Sequence, residues 1–108
     1  MKPVRNIKLM GRMWRLRFVP KLTDRWGDCD DPQAKGRTIR ISREAKGRKE
    51  LEVLIHEMQH ACNWVQASEE FIATSSADIA NVLWRLGYRK VVNGAYVDDI
   101  GPIEEPVI

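Results

Sequence analysis

The sequence is poor in cysteine, with only Cys29 and Cys62 among 108 residues. That is too few for a disulfide framework to hold a small fold together. Two free thiols fit a reducing compartment, so a cytoplasmic protein is expected. Long hydrophobic stretches are missing as well. No run of apolar residues exceeds three, as in Val53–Ile55, so no membrane span is expected. The basic N-terminus has no apolar core region behind it, which leaves no secretory leader to be read there. Internal repeats and low-complexity blocks are also absent. Histidine is nearly absent: His56 and His60 are the only two in the chain.

What is present suits one packed domain, expected to span residues 1–108. Hydrophobic residues make up 44% and charged residues 31%, which favours a globule over a disordered chain. At this length a single core is feasible but thin, and a bound metal would help to hold it. The net charge of +3 conceals a polar layout. Residues 1–49 carry 15 Lys/Arg against 5 Asp/Glu, whereas residues 91–108 carry no Lys/Arg and 4 Asp/Glu. A basic front half could attract an anionic partner such as nucleic acid. A solvated surface balanced by the acidic back half explains the same pattern, and no nucleic-acid motif accompanies the charge.

Periodicity divides the chain. Trp14, Leu16 and Phe18 alternate with Arg15 and Arg17, the period-two signature of a half-buried strand, and Pro20 ends it. Residues 25–36 hold Gly27, Asp28, Asp30, Asp31, Pro32 and Gly36 and read as a turn-rich connector. Ile39 and Ile41 alternate with Arg40 in a second strand over 37–42. The period then changes to 3.6. Leu51, Leu54, Ile55, Met58 and Cys62 share one stripe of a helix running from about Arg48 to Asn63. Ser68 followed by Glu69 and Glu70 announces a second helix, and Gly87 suits its end. Asn93-Gly94 predicts a small hairpin, and residues 98–108 read as an irregular acidic tail. The expected class is α+β: a small antiparallel or mixed sheet packed on the first helix, with the second helix antiparallel to it.

The first helix reads His56-Glu57-Met58-Gln59-His60, an H-E-x-x-H pattern. An i, i+4 pair points two imidazoles off one face, one turn apart, so both can reach a single Zn²⁺. The glutamate between them can hold and deprotonate a zinc-bound water, which then attacks a carbonyl polarised by the same ion. With Leu51 set at 0°, His56 and His60 fall near 140° and 180°, away from the apolar stripe. The expected roles are zinc ligation by His56 and His60 and general base catalysis by Glu57.

A catalytic zinc needs a third protein ligand and an open position. No third histidine exists, so a carboxylate must come from elsewhere, and the second helix offers Glu69, Glu70 and Asp78. With Ile72 at 0°, Ala73, Ala77 and Ala80 form a small-residue face near 80–140°, where another helix can approach. Glu70, at about 160°, borders that face and is the expected ligand. Glu69 borders it from the other side and is the runner-up. Asp78 lies some 12 Å further along the axis and reads as a surface residue. Acidic residues at a helix N-terminus also complement the dipole without any metal.

These residues resemble the small zincin metallopeptidases. The closest likeness is to minimal domains of the SprT-like and ImmA/IrrE-like type, found in bacteria and their phages. The likeness spans roughly residues 37–86. It rests on His56-Glu57-Met58-Gln59-His60 after an Ile-rich strand, then on a helix opening Glu70-Phe71-Ile72-Ala73. In those families the ligand glutamate begins an E-x-x-A stretch on the following helix, and Glu70 matches that spacing. The resemblance implies zinc, a two-helix active site and hydrolysis of peptide bonds in a peptide or protein substrate. It also implies that the strand over 37–42 is the edge that pairs with an extended substrate. Two alternatives remain: a non-catalytic zinc-binding module, or a nucleic-acid-associated protein using the basic half. The four tryptophans could stack on bases, but packing in the core and between the helices is the expected role, especially for Trp64 and Trp84.

Overall fold

The computed structural model describes residues 4–92 and 95–96. The elements are β1 (Asn6–Leu9), β2 (Arg12–Val19), β3 (Gly27–Cys29), β4 (Thr38–Ser42), α1 (Arg48–Cys62), α2 (Glu69–Arg85), β5 (Val91–Val92) and β6 (Ala95–Tyr96). The class is α+β. The first four strands form one mixed sheet in the order β1-β2-β4-β3. β1 runs antiparallel to β2, β2 parallel to β4, and β4 antiparallel to β3. β5 and β6 pair antiparallel, where the hairpin was expected. The expected acidic tail over 98–108 lies outside the described residues.

Alternation explains the core. Trp14 and Leu16 on β2 and Ile39 and Ile41 on β4 all point to the α1 side and are buried. Ala45 and, from α1, Val53 and Ala61 complete the cluster, with Leu54 and Met58 packed against it. The opposite face of β1 and β2 carries Lys8, Arg15 and Arg17, all exposed. Two short elements were not legible in the sequence. β1 turns into β2 through Met10 and Gly11, both at positive φ (51° and 76°), as a two-residue hairpin requires. A methionine at the first of these positions gives no turn signal.

The other is β3, a Gly-Asp-Cys segment inside the expected connector. Its composition disfavours a strand, and pairing supplies the order instead. Ser42 N–H donates to Trp26 O at 2.8 Å, and Asp30 N–H donates to Thr38 O at 3.0 Å. Arg40 bridges Asp28 at 3.1 Å and Asp30 at 2.9 Å. The strand over 37–42 is therefore not an edge. β4 lies between β2 and β3, and β3 takes the edge.

α1 packs between the sheet and α2. α2 packs against α1 and, among the described elements, against no other. Ser68 caps α2, its hydroxyl accepting from Phe71 N–H at 3.0 Å. At the other end Gly87 has φ 95°, and Tyr88 N–H reaches back to Leu83 O, closing the helix as a Schellman motif.

Candidate metal centre

Of the stripe expected to bury α1, Leu54 and Met58 pack against the sheet cluster beside Val53 and Ala61, which stand outside that stripe. Glu57 lies under β3, and Gln59 faces α2. His56 and His60 fall at the rim between these contacts, half-buried and facing the end of α2. Their Nε2 atoms lie 3.2 Å apart. Both rings therefore aim the same nitrogen at one point, which is what an i, i+4 pair on a regular helix allows.

The carboxylate that meets them is Glu69. One oxygen lies 2.9 Å from His56 Nε2 and the other 2.7 Å from His60 Nε2. His56, His60 and Glu69 each offer a ligand atom, all within 4.8 Å of one another, a group that could hold a metal ion. Glu70, the expected third ligand, is not brought to the histidines. Its exposed side chain borders a shallow groove with Ser68, Phe71, Thr74, Ser75 and Asp78. The cause is the rotational setting of α2. Its buried line runs through Ile72, Ser76 and Ala80, not through the centre of the alanine face. Glu69 stands three, seven and eleven residues before those positions, so it shares their line, and Glu70 stands about 100° off it.

Gln59 bonds across the joint between the two helices. Its amide donates to Ser76 Oγ at 2.7 Å and to Ser75 Oγ at 2.9 Å. Ser76 is fully buried between the helices. The line of Ile72 and Ser76 is legible in the sequence, and placing the helix contact on it in preference to the alanine face is what reaches Glu69.

Glu57 lies on the sheet side of the cluster, only 7% exposed. Gly27 of β3 passes directly over it. A Cβ on Gly27 would stand 2.7 Å from Val53 Cγ1, 3.0 Å from the Arg40 carbonyl oxygen and 3.1 Å from Glu57 Cγ. This is a close approach that only glycine permits. Burial pushes the Glu57 carboxyl up to about 7, with Asp28 and Glu69 adding to the shift and Arg25 opposing it. Burial, then Glu57, likewise pushes the Cys29 thiol up to about 12, which keeps it protonated near neutral pH.

The cluster opens into a cleft of about 490 Å³ between α1 and the β3 edge, lined by Gly27, Asp28 and Cys29 on one side and by His56, Glu57 and His60 on the other. Trp26 and Trp64 line it too, 47% and 41% exposed. Trp64 is thus not packed between the helices as expected, and Trp84 lies under the Arg89 guanidinium at 3.3 Å. Trp14 is the one tryptophan in the core cluster. Compared with known proteins, the chain matches no family model, no curated protein and no solved structure.

Proposed function

We propose that the chain is a zinc-dependent metallopeptidase of minimal, zincin-like architecture, with His56, His60 and Glu69 as zinc ligands and Glu57 as general base. Convergence of two imidazole nitrogens and a carboxylate beside a buried glutamate is the observation that carries this reading. The two imidazoles fit the ion: two ligands at a tetrahedral zinc with bonds of 2.0–2.1 Å stand about 3.3 Å apart, and the two Nε2 atoms stand 3.2 Å apart. The Glu69 oxygens, at 2.9 and 2.7 Å from those nitrogens, sit at hydrogen-bond distance and would draw back by about half an ångström to admit the ion. Two nitrogens and one carboxylate also match the donor set of a catalytic site that keeps one position open.

When bound, Zn²⁺ supplies Lewis-acid polarisation of a carbonyl and acidifies water. The protein's own groups do the rest. Glu57 takes a proton from the attacking water onto its carboxylate and returns it to the leaving amine nitrogen. Its buried carboxyl borders the same cleft as the ligands, a position suited to both halves of that transfer. The β3 edge offers main chain to an extended substrate. In its ladder with β4, Asp28 pairs with Arg40 while Trp26 and Asp30 bond inward, leaving the Gly27 and Cys29 main-chain groups turned outward.

The test is turnover of a peptide mixture by zinc-loaded protein, read by mass spectrometry. Glu57→Gln is expected to keep its zinc and lose about 10²–10⁴-fold in rate. A non-catalytic zinc module would bind its partner equally well after that change, and a nucleic-acid-binding protein would ignore chelator.

A further inference from the structure

Exposed tryptophan is costly to leave in water, and here two of the four border one cleft. They border it at different ends. Trp26 is fixed by its carbonyl at the start of β3 and lies beside Lys49, whose Nζ is 5.6 Å from the ring centroid. Lys49 is in the first turn of α1, seven residues before His56, or about 10 Å along the axis. Trp64 follows the other end of α1 and meets His60 edge-on, ring centroids 6.3 Å apart. The histidine pair therefore stands between two aromatic walls, near one and further from the other.

We infer that the cleft selects an extended polypeptide with two bulky apolar side chains, one held by Trp64 next to the scissile bond and one held by Trp26 about three residues away on the opposite side of that bond. The spacing is taken from the offset between Lys49, beside which Trp26 stands, and His56, about 10 Å along α1, at an advance of about 3.3 Å per residue in an extended chain. The β3 edge between the walls supplies main-chain pairing that is blind to sequence, so selectivity falls to the aromatic ends. Large apolar groups closing on partly exposed indoles in a concave site are where binding energy concentrates. This inference rests on the peptidase reading for the nature of the occupant, and its test measures binding apart from turnover.

The probe is a set of Ala/Ser peptides carrying two phenylalanines whose separation is varied one residue at a time. Their affinity for zinc-loaded Glu57→Gln protein is measured by calorimetry. Affinity is expected to peak at a separation of three to four residues, about tenfold above that for adjacent phenylalanines. Trp26→Ala and Trp64→Ala are each expected to flatten the profile, and Trp64→Phe to restore much of it. No measurable binding, a flat profile in the parent protein, or a peak that survives both alanine changes overturns the inference. Cutting of these peptides by the wild-type protein at equal rates for all spacings would also overturn it, leaving the peptidase reading intact. A spacing-dependent peak without any cutting would retain the selective cleft and remove the peptidase.

Discussion

The two helices are of similar length, 15 residues in α1 and 17 in α2, yet they hold their functional groups in opposite ways. α1 is packed on two sides, by the sheet and by α2, and carries both histidines and the buried Glu57. α2 packs on one side and contributes one carboxylate, Glu69, whose side chain is 67% exposed. On α1, relative position is set by the helix itself, because residues one turn apart share a face however the helix packs. On α2, the contributing residue depends on the angle at which the helix settles on its neighbour. A rotation of one residue, about 100°, exchanges Glu69 for Glu70.

The sharpest test of this contrast removes one group from each helix. His60→Ala is expected to weaken zinc binding by more than the 10–100-fold typical of losing an outer-shell partner, measured by competition with a chromophoric chelator. Glu69→Ala is expected to weaken it by about 10–100-fold, because an exposed carboxylate is partly replaced by water. Glu70→Ala is expected to change it by less than about twofold, since that side chain faces the other groove. Equal losses in the Glu69 and Glu70 variants would mean that α2 turns freely on α1, and the contrast between the helices would disappear.

The same contrast explains what could be read from the sequence. α1, α2, β2 and β4 follow from periodicity, and the histidine pair follows from spacing on a single helix. β3 did not, because Gly27, Asp28 and Cys29 gain strand geometry only from pairing with β4 and from the Arg40 ion pairs. The resemblance to zincins implies that the strand over 37–42 is the edge, and β3 occupies that place instead. Glu70 was preferred to Glu69 because the alanines at 73, 77 and 80 suggested a helix contact, whereas the contact follows the line of Ile72, Ser76 and Ala80. The misses at the sheet edge and at the third ligand concern choices made between elements, whereas β1 was missed because its turn opens on Met10, a residue without a turn signal.

A second test concerns the cost of burying Glu57 on the tightly packed helix. Burial raises the Glu57 carboxyl in the folded chain from 4.5 to about 7. Below about pH 4.5 folded and unfolded chains are both protonated there, and the group costs nothing. As pH rises through this window the unfolded chain ionises first, so stability falls, and the loss is complete above about pH 7. For the metal-free protein this amounts to at most about 3 kcal/mol. Glu57→Gln is neutral at every pH and is expected to be more stable than wild type in urea near pH 8, the difference vanishing near pH 4.5. A difference independent of pH would show that the carboxyl is not held out of water. On α2, the exposed Glu69 is expected to give no comparable stabilisation when changed to glutamine.

The smallest expected effect probes the joint between the helices. Gln59, one of the two variable positions in H-E-x-x-H, donates to both Ser75 and Ser76. Gln59→Ala leaves the buried Ser76 hydroxyl without that partner, at a cost of about 1–3 kcal/mol in urea unfolding. If these bonds set the angle of α2, zinc affinity must fall as well, although Gln59 is not a ligand, because Glu69 is then less often in place. A loss of a few fold is expected, smaller than for Glu69→Ala. Combining the two changes should then cost little more zinc affinity than Glu69→Ala alone, since Gln59 acts on the metal through that carboxylate. Full additivity in this cycle would mean that Ile72 and Ala80 packing alone sets the angle, and that the amide contributes stability without positioning the ligand.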